Sequence, residues 1–487
     1  MRKQLKYILV LSCVGMFYTS CQREKLEPLP ETFIADATAF DTPDRVLNSV
    51  RGMYTALKNG ALYGGRVLVY GDIRGEDFIN ETGNLVTGAD VWNHNATNSS
   101  ANSVESLWSQ AYYVINSTNV FLEGMDVKGE TVVGQALAKN YRGEARLIRA
   151  LSYWALLQHY ARPYADGNGS RPGVPLRLTA IKGPGSSKIT RSTVAEVYTQ
   201  ILADLDFAEQ NLPLNYSSAA LNTTRAHRNT AIALKTRVYL GMQRYDKVVE
   251  EANKIVPQAA PFTATSGVAH ALQADIASVF TSYTTAESIL SMPMSSTAGD
   301  FPGTQNQLGY YFYQNGSTPG SAEYSLNQNG IIANTNWGAD DKRRQFIFLN
   351  TTSNKRYLSK YKTPSPYTDY VPVMRWSEVL LNLAEGLART TAGSANTRAL
   401  ALVNAVRQRS DAAATVTAAT QQELIDAILL ERRIEFIGEG LRAFDITRLL
   451  QTFPAKGSAQ AKGPQDGGYI WPIASRELSL NPDMTDN

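Results

Sequence analysis

Glu431, Glu435 and Glu439 recur every four residues near the end of this 487-residue chain. Paired carboxylates are what glycoside hydrolysis uses, one as acid and one as base or nucleophile. Here they stand among Arg432, Arg433, Arg442 and Arg448. Ion pairing with those arginines would keep the acids ionised, the opposite of what a general acid needs, so the cluster reads as structural. The four histidines, His94, His159, His227 and His270, are scattered without metal-ligand spacing. Gly167-Asn168-Gly169 lacks the third glycine of a dinucleotide loop, and no Gly-x-Ser-x-Gly elbow or P-loop occurs. No catalytic residue, metal or cofactor is expected.

Binding chemistry is better represented. Sugars present apolar C–H faces ringed by hydroxyls, so their sites combine flat aromatics with Asn, Asp, Gln or Arg. Trp92-Asn93-His94-Asn95 has that mixture, as do Tyr310-Tyr311-Phe312-Tyr313-Gln314-Asn315 and Asn334-Thr335-Asn336-Trp337. The expected ligand-binding residues are Trp92, Asn95, Tyr310, Tyr313 and Trp337. Tyr311 and Phe312 are expected to pin their own loop, because adjacent side chains of a strand face opposite ways. Asp72, Arg74, Glu76 and Asp77 read as a solvated turn with internal ion pairs, and Trp108 and Trp376 as core residues of apolar helix faces.

The elements that must position these residues are mostly helical. Thr42-Pro43-Asp44 precedes Val46, Val50, Met53, Tyr54 and Leu57, spaced for one buried face. Residues 104–124 and 137–161 carry the same period. Thr193-Val194-Ala195-Glu196 is a capping box, and Pro213 ends the helix it starts. Residues 228–256 have the small and aromatic spacing of a tetratricopeptide-type hairpin, with a related pair over 372–410. Between 260 and 370 Gly, Ser, Thr, Asn and Tyr dominate and no long helical period survives. That length is too great for a plain connector. Residues 80–103 form a smaller polar region around Trp92.

The start of the chain differs in kind. Arg2, Lys3 and Lys6 precede an apolar run over Tyr7–Phe17, the right length for a secretory signal core and too short to span a bilayer. Cys21 follows Thr19 and Ser20, the small residues of a lipoprotein cleavage site; Cys13 sits too early, because cutting there would truncate the apolar run. Residues 22–30 are polar and proline-bearing, an extended tether. The formal charge of +3 is carried by the three leader cations, so the rest is balanced and unlike a nucleic-acid binder.

The last third carries the most specific pattern. Glu431-Arg432-Arg433-Ile434-Glu435 runs into Glu439-Gly440-Leu441-Arg442-Ala443-Phe444-Asp445. Upstream lie Arg375-Trp376-Ser377-Glu378-Val379 with Ala384-Glu385, then Arg407-Gln408-Arg409. Downstream lie Trp471-Pro472-Ile473 and Asn481-Pro482. The N-terminal half contributes Glu144-Ala145-Arg146-Leu147-Ile148-Arg149-Ala150 and Val174-Pro175-Leu176. In this order the motifs resemble the SusD/RagB family of outer-membrane nutrient-binding lipoproteins, with Ala443 standing where an aromatic is usual.

The resemblance implies a mainly α fold with tetratricopeptide-type hairpins carrying irregular, loop-rich inserts. It implies a surface-exposed, lipid-anchored outer-membrane protein, lipidated at Cys21, with a SusC-like TonB-dependent transporter as partner and an oligosaccharide, or in one branch a peptide, as ligand. Nucleic acid is not an expected partner. A surface glycosidase or a ligand-free scaffold is disfavoured. The corresponding division is a leader over 1–20, a tether over 21–35 and one SusD-like domain over 36–487. Within that domain, 36–259 is helical, 260–370 is the insert and 371–487 carries the hallmark.

Overall fold

Where apolar residues recur with the helical period, helices form and bury that stripe. A computed structural model describes residues 38–183, 188–297, 300, 303–314 and 322–487; the leader, the tether and Cys21 lie outside them. Helix α1 (Pro43–Leu57) opens on Thr42, whose side chain accepts the Arg45 N–H, and buries Val46, Val50, Met53 and Leu57. Next come α2 (Arg66–Ile73), α3 (Ser106–Gly124) and the long α4 (Gln135–Tyr160), which stops before Arg162-Pro163. Helix α5 (Val194–Asn211) begins with the capping box intact: Thr193 N–H donates to Glu196 at 2.7 Å, and Glu196 N–H donates back to the Thr193 hydroxyl at 3.2 Å.

Helices α6 (Arg228–Gly241) and α7 (Tyr245–Ala252) make the first expected hairpin; α8 (Trp376–Thr390) and α9 (Thr397–Ser410) make the second. Helices α10 (Gln421–Glu435) and α11 (Arg442–Arg448) follow. From α3 to α9 each helix packs on the next, and α10 packs on α8 and α9. That nearest-neighbour stacking is solenoid construction. Gly386 permits it at the α7–α8 joint, where a Cβ would lie 3.2 Å from Tyr245 O and the Val248 side chain.

The stretch expected to be helical from 372 begins instead as a strand. Proline in a helix interior removes a hydrogen bond and clashes with the preceding turn. Pro372 therefore sits in strand β6 (Val371–Arg375), antiparallel to β2 (Ser288–Met292), and both strands are wholly buried. The pairing ties residues 288–292, inside the irregular region, to the strand that closes it. A second sheet orders its strands β1-β3-β5-β4: β1 (Phe78–Asn80), β3 (Tyr324–Leu326), β5 (Lys355–Leu358) and β4 (Ile347–Asn350). The mainly α expectation holds. Trp108 and Trp376 are buried as expected. No helix among the described residues is long and apolar enough to cross a membrane.

All four histidines are buried. His227 and His270 stack at 5.2 Å and 24°, with Trp376 next in the stack at 5.9 Å from His270. Burial lowers each imidazole: His270 to about 4, His159 to about 3, His94 to about 2, and His227 well below its ordinary value. The unfolded chain takes up these protons near pH 6.5, while the native chain resists them until lower pH. Each neutral imidazole thus contributes stability that is present above about pH 6.5 and is lost as pH falls towards its folded pKa. Proton NMR of the imidazole C–H signals should show no titration between pH 5 and 8. A histidine titrating near 6.5 would contradict this burial.

Candidate functional site

The glutamate triad is enclosed in an ion-pair network built from distant segments. Glu431 meets Arg343 and Arg407, both at 2.5 Å. Glu435 meets Arg343, Arg375 and Arg409 at 3.0, 3.0 and 2.6 Å. Glu439 meets Lys360 and Arg375, both at 2.7 Å. Glu287 bridges Arg375 and Arg409, and Asp341 completes the set on Arg343. Five carboxylates thus face five cations, all nearly free of solvent. Burial alone would push the Glu435 carboxyl up, but Arg409, Arg375 and Arg343 outweigh it and hold the group well below the carboxylate range. A general acid needs the reverse.

The structural reading of the triad holds, but its partners are not the sequence neighbours. Arg432 and Arg448 share Asp445, and Arg448 also holds Glu385. Arg433 and Arg442 reach Glu76, and Arg433 also reaches Asp77 at 2.6 Å. This corrects a second expectation: Asp72, Arg74, Glu76 and Asp77 are buried, not a solvated turn, and Glu76 and Asp77 pair with arginines more than three hundred residues away. Gly440 completes the junction. It adopts φ +80°, where an added Cβ would lie 2.5 Å from Leu68 Cα, and its N–H donates to Asp72 at 2.8 Å. The hallmark residues hold α2, the insert and the last helices together.

The expected ligand-binding residues fare unequally. Trp92 is 4% exposed, with Nε1–H donating to Phe78 O at 2.8 Å and the Lys456 ammonium over its ring. Trp337 is 2% exposed and covered by the Arg344 guanidinium. As placed, neither tryptophan offers a face for stacking; both fill the interior, because large apolar rings bury wherever packing allows. Trp92→Ala should therefore destabilise the fold by about 3 kcal/mol in urea unfolding. Unchanged stability would contradict its placement. Asn95 is exposed, its N–H donating to Asp90 O. Tyr313 is half-buried against Phe348 of β4 at 5.8 Å. Tyr311 and Phe312 are buried as expected, but in a short helix, Leu308–Phe312, not in a strand.

Tyr310, half-buried on that helix, leads to a cleft the sequence did not indicate. Its ring packs edge-on against Tyr367 at 5.8 Å. Tyr367 holds φ +65°, a region that costs a bulky residue about 1–3 kcal/mol. A Cβ on neighbouring Gly309 would stand 3.3 Å from both Tyr367 and Asp369 Oδ2. Asp369 lines a cleft of about 390 Å³ in the insert. One wall is Tyr283 with Tyr370, their rings 6.1 Å apart at 63°; the other includes Phe280 with Phe346. Gln345, Lys360, Lys362 and Pro293 also line the cleft.

Asp369 accepts the Thr363 hydroxyl at 2.8 Å and the Thr363 N–H at 3.0 Å. No cation pairs with it among the described residues, and burial pushes its carboxyl up against those hydrogen bonds. An acceptor without a charge partner, flanked by tyrosines, is chemistry for holding hydroxyls.

Comparison with known proteins places the whole architecture. A crystal structure of a SusD superfamily protein from Bacteroides fragilis is 32% identical, with TM-score 0.80, over 92% of this chain and 99% of that one. The chain belongs to the SusD superfamily. The SusD family pattern matches residues 302–487, and a pattern described as "starch-binding associating with outer membrane" matches 32–240. SusD-like protein P2 of Formosa agariphila is 25% identical over 99% of this chain and 97% of its own length. A laminarin-binding SusD-like protein shares the fold at TM-score 0.71 and 18% identity, over 92% of this chain and 99% of that one. The SusD hallmark helix and its Glu-Gly turn are, in this chain, the ion-pair network and the Gly440 junction just described.

Proposed function

We propose that the protein is a non-catalytic nutrient-binding lipoprotein that holds an oligosaccharide in the Tyr283–Asp369–Tyr370 cleft. It passes the ligand to a SusC-like TonB-dependent transporter, and a lipid on Cys21 keeps it at the surface of the outer membrane. The observation that carries the reading is Asp369: a carboxylate without an ion pair among the described residues, in a cleft walled by aromatic rings. Membership in the SusD superfamily and the glycan named for one structural neighbour support it. Peptide cargo is the second reading, from the family branch that takes peptides.

Stacking and a few hydrogen bonds give modest affinity, which suits release to a partner. Titration calorimetry against an oligosaccharide panel and a peptide digest, with a parallel assay for new reducing ends, tests the reading. It predicts binding to a glycan class without product; hydrolysis, or heat from peptides alone, would overturn it. Cys21→Ser should move the protein from the membrane to the soluble fraction on cell fractionation, and retention would count against the anchor.

A further inference from the structure

The candidate cleft shares one lining residue with a second pocket. Pro293, which lines the cleft, also walls a second pocket of about 230 Å³ against α1. Three cations line that pocket, Arg51, Lys58 and Arg225, and no carboxylate does; Leu221 and Met292 join Pro293 in its apolar lining. Two of the cations are engaged. Arg225 makes a bidentate pair with Glu144. Lys58 pairs with Asp300 and donates to Pro293 O at 2.7 Å, which fixes the shared wall. Arg51 differs. Its side chain donates to Asn48 Oδ1 at 3.1 Å and has no carboxylate within ion-pair distance among the described residues.

We infer that this pocket is a subsite for an anionic sugar, a uronate or a sulfated residue, belonging to the same oligosaccharide that the cleft holds. The inference rests on the cleft reading and deepens it. A sugar ring keeps one apolar face for Leu221 and Pro293, which are half-buried, whatever group it carries. A carboxylate or sulfate is planar or branched oxygen chemistry that the guanidinium fork of Arg51 matches with two parallel hydrogen bonds. Lys58 and Arg225 are each already paired with an acid, so Arg51 is the one of the three lining cations left to meet the ligand's charge. Pro293 lines both pockets; the inferred ligand lies across it, with a neutral residue by Tyr283 and the charged one by Arg51.

Calorimetric titration of the full chain decides it, with oligogalacturonates and sulfated galactan oligosaccharides as charged probes. Methyl-esterified oligogalacturonates and desulfated galactan serve as neutral counterparts. The wild type should bind one charged set more tightly than its neutral counterpart, with the advantage shrinking as salt is raised. Arg51→Gln should weaken that charged set about fivefold and Arg51→Lys should restore part of the loss. Arg51 is exposed, so both variants should fold. The two charged sets distinguish uronate from sulfate. Equal binding of charged and neutral sets, with Arg51→Gln silent, would overturn the subsite; the cleft reading would survive if Tyr283→Ala removed that binding. Silence towards every glycan, or binding of acidic peptides alone, would overturn both.

Discussion

Replacing Arg375 with methionine is expected to destabilise the protein by about 4 kcal/mol in denaturant unfolding. Arg375 is 2% exposed and touches Glu287, Glu435 and Glu439 at once. Its removal leaves three buried carboxylates sharing the remaining cations, and an uncompensated buried charge costs far more than a surface pair contributes. The loss should extend beyond β6, because the three acids come from α10, from the turn that follows it and from the residue before β2. The exposed Arg244–Asp246 pair is the control; Arg244→Met should leave the unfolding midpoint in place. If both substitutions behave alike, the network is not what holds the hallmark helices to the insert.

Tyr283→Ala is expected to reduce oligosaccharide affinity at least tenfold with little change in stability. The ring is half-buried and packs on one aromatic neighbour, Tyr370. Its loss removes a stacking platform, a contact that contributes about 1–3 kcal/mol where rings stack on ligands. Tyr370 is a poorer test, because its hydroxyl donates to Val279 O and its ring is buried, so its removal would disturb the wall itself. Asp369→Asn complements the tyrosine: it keeps the shape, exchanges an acceptor for a donor and should weaken binding by a smaller factor. Calorimetry of the three variants beside the wild type reads the order. Wild-type affinity in Tyr283→Ala would place the ligand elsewhere.

The parts of this molecule that could be read from its sequence are those whose cause is local. The stripe of α1 and the capping box of α5 depend on residues a few positions apart, and both are present as expected. The partners of the glutamates were not legible, for a geometric reason. Neighbours one or two positions apart on a helix point in different directions, so Arg432 and Arg433 turn away from Glu431 and Glu435 towards Asp445 and Asp77. The cations that do reach the acids come from residues 343–409. The burial of Trp92 was not legible because its asparagine-rich surroundings look solvated. Its partners there are distant in sequence or outside its own segment: the Phe78 carbonyl on its Nε1–H and Lys456, from the far end of the chain, over its ring. The cleft draws on residues 277–294, 345–346 and 359–370, and no one of those segments has a pattern of its own.

Hydrogen–deuterium exchange of the protein with and without a bound oligosaccharide tests the central claim most directly. Protection should appear over 277–283, 293–294 and 362–370, the segments that build the cleft, while Trp92, Trp337 and the buried glutamate helix stay unchanged. Protection confined to 92–95 and 334–337, with the cleft segments silent, would contradict the account.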